Sequence, residues 1–223
     1  MLSPLPWSEI QFVLLDMDGT LLDKSFDDYF WTEHVPQKFS EKNRIGLDEA
    51  KHLLYAGYRA QERTLRWTDV DYWSDQLGLD IVALKERVRD QVRVHAGVVS
   101  FLQFLRHQDK KVLLATNAHP KTVQIKLEQT TLLPYFDQIL CSSDIGAPKE
   151  EEAFWVGAQQ TVGFETARSL FVDDNEEVLL AARAFGIRFL LFKSHASSQE
   201  NAGWSDHFPS LKSFVEITPD LTG

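Results

Sequence analysis

Residues 11–23, QFVLLDMDGTLLD, narrow the choice of fold more than any other stretch of this 223-residue chain. Phe12 to Leu15 is a short apolar run that predicts a fully buried strand. It stops at Asp16, and Asp18, Gly19 and Thr20 follow at once. A buried strand ending in two carboxylates and a glycine carries charge to the edge of a sheet. In open parallel sheets that edge, at the strands' carboxyl ends, is where ligands bind. The plainer reading is a strand ending in an ordinary polar turn, and the rest of the chain decides between the two.

Beyond Asp23 the texture changes. Apolar residues recur at helical spacing: Phe26, Tyr29 and Phe30; Ala50, Leu53, Leu54, Gly57 and Tyr58; Val70, Trp73, Ser74 and Leu77; Ile81, Leu84 and Val88. Asp48 and Asp80 stand where N-caps belong, and Gly46 and Gly78 where helices stop. A helical insert over 22–95 is therefore predicted, spliced into a core formed by 1–21 and 96–223. From Val98 onward the pattern alternates. A helix is predicted at 98–107, a strand at 112–115, a helix at 121–130 and a strand at 138–141. They are followed by a helix at about 151–162, a strand at 170–172, a helix at 176–185 and a strand at 188–192. Such alternation predicts an α/β fold with a parallel sheet and helices on both faces. The tail from Ser194 is polar, with one apolar segment at 211–215, and shows no motif.

Four features then converge on one sheet edge. Asp16 and Asp18 end the first strand, and Thr116 with Asn117 ends the second. Lys149 lies in the loop DIGAPK, and Asp173 and Asp174 end the fourth strand. Singly, each has a simpler account: a helix-capping turn for Thr116 and Asn117, a solvated lysine, or an N-cap for the helix at 176–185 in the case of Asp174. Together they place Asp16, Asp18, Asp173 and Asp174 in a small volume, where they cannot all ionise without compensation. A hard dication held by oxygen ligands, Mg²⁺ foremost, resolves that conflict. With Lys149 it also lets a dianionic phosphoryl group enter a protein whose formal net charge is −10.

That charge argues against nucleic acid or an anionic membrane as the main partner. The single cysteine, Cys141, follows an apolar pair and is expected to be a buried structural thiol. No zinc spacing exists among the seven histidines, and His95 and His119 are expected to be structural or loop residues. The N-terminus lacks the features of a signal peptide and no run reaches transmembrane length, so the expectation is a cytoplasmic protein, a monomer or weak homodimer.

The segments Asp16-Met17-Asp18-Gly19-Thr20, Thr116, Lys149 and Asp173-Asp174, in this order, resemble the four motifs of the haloacid-dehalogenase superfamily of aspartate-nucleophile phosphohydrolases. The insert after the first motif is similar to that superfamily's C1 helical cap, and the core to its Rossmann-like sheet. Further stretches, FDDYFW, VDYWSDQLGLDI, TNAHPKT and VDDNEEVLLAA, resemble its bacterial GMP/IMP 5′-nucleotidase branch.

The resemblance implies that Asp16 is the nucleophile forming an aspartyl-phosphate and that Asp18 is the acid–base group. It implies phosphoryl contacts from Thr116, Lys149 and backbone N–H groups around Met17, Asp18 and Asn117. Mg²⁺ would be held by the Asp16 side chain, the Asp18 carbonyl and Asp174, with Asp173 as ligand or support. The implied substrate is a small phosphomonoester, a purine nucleoside monophosphate. Tyr29, Trp31, Trp67, Tyr72 and Trp73, with Arg59, Arg63 and Arg66, are the candidates for reading it. A sugar-phosphate phosphatase or phosphomutase is the alternative, and a non-catalytic nucleotide-binding module is a third reading from another class.

Overall fold

The computed structural model describes residues 4–219, so residues 1–3 and 220–223, at the ends of the expected core segments, lie outside the described residues. Its centre is a parallel sheet of β1 (Phe12–Leu15), β2 (Lys111–Thr116), β3 (Gln138–Cys141), β4 (Ser169–Asp173), β5 (Phe189–Lys193) and β6 (Ser210–Leu211), in the spatial order β3-β2-β1-β4-β5-β6. Side chains alternate across the sheet as strand geometry requires. Val13 and Leu15 face one layer, with α6 (Val98–His107) and α7 (Pro120–Thr130). Leu14 faces the other, with α8 (Glu152–Val162) and α9 (Glu176–Phe185). A sheet covered on both faces needs near-continuous apolar strands, and that is what the predicted strands contain.

The inserted helices are α1 (Ser25–Tyr29), α2 (Val35–Asn43), α3 (Leu47–Gln61), α4 (Val70–Leu77) and α5 (Ile81–Arg87), with a π-wound turn, Phe30–His34, joining α1 to α2. They build their own small core from Phe30, Val35, Leu54, Tyr58, Val70, Trp73, Ile81 and Leu84. The two crossings that join them to the sheet run side by side. Leu22 bridges Val94 antiparallel, Asp23 N–H donates to the Arg93 carbonyl (2.9 Å), and His95 N–H donates to the Leu21 carbonyl (2.9 Å).

Several local expectations are corrected. Gly46 does not end a helix: α2 stops at Arg44, which takes a left-handed φ of 55°, while Ser40 and Ile45 hydrogen-bond around it. Gly46 is extended and precedes α3, which puts Asp48 inside the first turn rather than at the cap. Asp80 does cap α5, accepting from Ala83 N–H at 2.9 Å, and Gly78 ends α4 with φ 58°. Leu53 lies on the outer side of α3 and is 52% exposed.

The tail is not featureless. Ser210 and Leu211 add the sixth strand beside β5, and Phe214 is fully buried against Phe101, ring centroids 4.8 Å apart. Cys141 is buried at the end of β3, and burial pushes its thiol up to about 12.

Candidate active site

The site begins with strand register. Leu15 pairs with Val172, so Asp16 and Asp173 come level at the carboxyl ends of adjacent strands and point to the same face. The Lys149 ammonium, 3% exposed, lies between them, donating to Asp16 Oδ1 (2.5 Å) and Asp173 Oδ2 (2.7 Å). Burial works against the lysine's charge, but the two carboxylates outweigh it and raise its pKa. Its backbone is fixed as well. Lys149 N–H donates to Asn117 Oδ1 (2.9 Å), and its carbonyl accepts from Trp155 Nε1 (2.8 Å). A lysine that sequence alone leaves in a loop is thus locked between two strand ends.

Asp16, Asp173 and Asp174 each bring a carboxylate oxygen within 4.8 Å of the others. Asp173 is committed to the protein through both oxygens, Oδ2 to Lys149 and Oδ1 accepting from Asn175 N–H (2.8 Å). Asp16 Oδ2 is buried with no hydrogen-bond partner. Asp174 presses against Gly19, where a β-carbon would lie 2.4 Å from Asp174 Oδ2. Burial raises Asp16 to about 6, an effect that Lys149 opposes and Asp173 reinforces. Asp174 is driven well upward by burial and then by Asp16 and Asp173. An orphaned carboxylate oxygen in an all-oxygen donor set with surplus negative charge fits a hard divalent cation.

Thr116 is buried, its Oγ1 accepting from Ala118 N–H at 3.0 Å. Asn117 does more than its position suggests. Its side chain braces Lys149 N–H and Glu150 Oε2 (2.9 Å), and its carbonyl accepts from Thr68 Oγ1 (2.5 Å), a contact reaching in from the inserted helices. The Met17 side chain is fully buried, and its carbonyl accepts from Leu21 and Leu22, so Met17 can serve a ligand only through its N–H. His119 caps α7, its Nδ1 accepting from Lys121 N–H at 3.3 Å.

Sequence reasoning missed the surroundings of Asp18. Lys126 Nζ donates to Asp18 Oδ1 (2.7 Å) and to Asp27, and Lys85 Nζ donates to Asp27 Oδ1 (2.9 Å). Both lysines are almost completely buried. Burial raises Asp18 to about 6 against the pull of Lys126. It also acts to raise Asp27, but there the two ammoniums win and hold the carboxyl below the usual range. A signal existed. Lys126 shares a helical face with Thr122, Val123 and Leu127, and Lys85 shares one with Ile81, Leu84 and Val88. A lysine interrupting an apolar stripe is a buried charge in need of a partner.

A cavity of about 570 Å³ opens between the sheet edge and the inserted helices. Asp16, Asp18, Thr116, Lys149 and Asp174 form its floor, and Trp31, Tyr55, Arg59 and Trp67 line the opposite wall. Trp73 also reaches it but is mostly inserted-domain core, 4% exposed and edge-on to Tyr58. The other candidate readers lie elsewhere. Tyr29 is 36% exposed, Arg63 pairs with Glu177 (2.8 Å), and Arg66 stacks over Tyr72 (5.3 Å).

A parallel sheet whose central strand sets one carboxylate against a buried lysine, at the floor of a cavity, is the frame of a Rossmann-like hydrolase. The chain belongs to the haloacid dehalogenase-like hydrolase family, whose model matches residues 10–186, and it is a phosphohydrolase by class. It is 38% identical to the GMP/IMP nucleotidase YrfG of Escherichia coli, over 96% of this chain and 97% of that one. It is 26% identical to phosphoglycolate phosphatase 1 of Pseudomonas aeruginosa, over 80% and 67% of the two chains. A HAD phosphatase from Thermococcus onnurineus has the same fold, with a TM-score of 0.78 at 24% identity, covering 93% of this chain and 96% of that one. Among the described residues no helix is long and apolar enough to cross a membrane.

Proposed function

We propose that the chain is a Mg²⁺-dependent 5′-nucleotidase that hydrolyses purine nucleoside monophosphates, GMP and IMP before others. The observation that carries the chemistry is Asp16, with one oxygen held by Lys149 and the other buried and unpaired at the cavity floor. Asp16 attacks phosphorus, and Asp18 protonates the leaving alkoxide, then takes a proton from the water that releases phosphate. Thr116, Lys149 and the N–H groups around Met17, Asp18 and Asn117 hold the phosphoryl oxygens, so the work is mostly positioning and electrostatics. Mg²⁺ would be held by Asp16, the Asp18 carbonyl and Asp174, with Asp173 behind them because both its oxygens are engaged. Bound there, it supplies positive charge to the phosphoryl oxygens and the nucleophile.

Residues 22–95 act as a cap over the core of 1–21 and 96–223. The choice of nucleotide rests on the 38%-identical relative and on the cavity wall. Trp31 and Trp67 offer faces on which a purine can stack, worth about 1–3 kcal/mol per base. Arg59 can donate to N7 and O6 together; guanine and hypoxanthine present both acceptors, whereas adenine keeps N7 but presents an amino donor at C6. A screen of nucleoside monophosphates, sugar phosphates and p-nitrophenyl phosphate with Mg²⁺ should give the highest kcat/KM for GMP and IMP, and chelator should abolish all turnover. A sugar phosphate as best substrate would overturn the nucleotide assignment alone. Turnover in Asp16→Asn near that of the unsubstituted enzyme, with deamidation excluded, would overturn the mechanism.

A further inference from the structure

Asp18 is more open to the cavity than its neighbours, its side chain 25% exposed against 7% for Asp16 and 1% for Asp173. Yet one of its oxygens is held from behind. Lys126 Nζ, on α7, donates to Asp18 Oδ1 at 2.7 Å, and its side chain is 1% exposed. The same ammonium grips Asp27 on α1, and the other oxygen of Asp27 is held by Lys85 of α5. The four groups make one line, Asp18–Lys126–Asp27–Lys85, running from the cavity floor through α7 into two of the inserted helices. Two negative and two positive charges balance along it. Buried ion pairs of this kind are often no more stable than well-packed apolar residues, so stability alone does not account for the line.

We propose that Lys126 is a positioning residue for Asp18. By fixing Oδ1 it leaves the other carboxyl oxygen to meet the leaving alcohol, and through Asp27 and Lys85 it makes that alignment depend on the seating of the inserted helices. The proposal rests on the reading of Asp18 as the general acid. In that step the bond from an Asp16 oxygen to phosphorus forms, and the bond from phosphorus to the departing oxygen breaks. The proton on Asp18 passes to that oxygen, and the carboxylate left behind still faces Lys126.

The test is the dependence of kcat/KM on the leaving group, measured with aryl and alkyl phosphates of rising alcohol pKa. An aryl leaving group such as p-nitrophenolate departs without a proton, whereas an alkoxide needs one. Lys126→Met should lower kcat/KM for alkyl phosphates by about 100-fold or more, within the range of general acid catalysis, and for p-nitrophenyl phosphate by less than about tenfold. Asp27→Asn should steepen the same dependence to a smaller degree. Equal losses across the series, or none, would overturn the proposal.

Should Lys126→Met fail to fold, the double variant Lys126→Met/Asp27→Asn removes one charge of each sign from the interior and is measured in its place, with the same two outcomes. Asp18→Asn separates the role of Asp18 from that of Lys126. Equal losses there would overturn the reading of Asp18 as the acid. A steeper dependence in Asp18→Asn but not in Lys126→Met would overturn the role of Lys126 alone.

Discussion

Gly19 shows how one residue couples backbone shape to site chemistry. Its φ of +88° is one that side-chain-bearing residues rarely adopt, and a β-carbon there would overlap Asp174 Oδ2 at 2.4 Å and approach the Ala196 side chain at 3.1 Å. Gly19→Ala should therefore do two things at once. The left-handed backbone should cost about 1–2 kcal/mol of stability, read as a lower Tm. The displaced Asp174 should raise the Mg²⁺ concentration needed for half-maximal activity, read by titrating the metal at fixed substrate. A lower Tm with unchanged Mg²⁺ dependence would mean that Asp174 is not a metal ligand. The glycine was plain in the sequence as a turn residue. Its contact with Asp174 was not, because it joins two strand ends more than 150 positions apart.

Secondary structure was most legible where burial on both sheet faces forced long apolar runs, as in β1, β2 and β4. The four core motifs could be placed at one edge for that reason: strands that are apolar throughout have polar residues only where they end. Legibility fell where polar groups are buried in helices. Lys85 and Lys126 sit on apolar helix faces, and helical periodicity alone does not reveal the two buried charges beside the site. It fell again in the tail, where Ser213 and Glu216 spell a capping box, S-x-x-E, whose reciprocal hydrogen bonds start a short 3₁₀ helix. That helix delivers Phe214 to the layer containing α6. Phe214→Ala should cost about 3–5 kcal/mol in chemical denaturation, the range for emptying a buried aromatic site. An effect below about 1 kcal/mol would show that the tail merely rests on the core.

For the molecule as a whole, ion pairs of two kinds join the inserted helices to the sheet layer, and they differ in burial. Arg63–Glu177 and Lys121–Asp71 bridge the rim, with all four side chains more than half exposed. Exposed pairs of this sort contribute at most about 1 kcal/mol each, so Arg63→Ala and Lys121→Ala should leave stability within that margin, and the small loss should shrink with added salt. A larger loss in either variant would mean that the rim pairs hold the two parts together. The buried line from Asp18 to Lys85 has no such screening, and the contrast places the sensitive linkage inside, beside the chemistry. The sheet order supports the same geography. β1 has β2 on one side and β4 on the other, and connections leave in opposite directions from that central position, which opens the crevice that the site fills.

The side-by-side crossings at Leu22 and Val94 also bear on how such a chain can change over time. Because entry and exit are stitched together, everything between them meets the sheet as a loop of unchanged span, whatever its length. Such a segment is a cassette: a different set of helices can be spliced between the same two stitches without asking the strands to re-register. Retaining Asp27, Lys85 and Lys126 would be the condition on such an exchange, since a foreign cassette arrives without two of those three. A lineage or a laboratory recombination that swaps the segment would then change the cavity wall and the hold on Asp18 in one event.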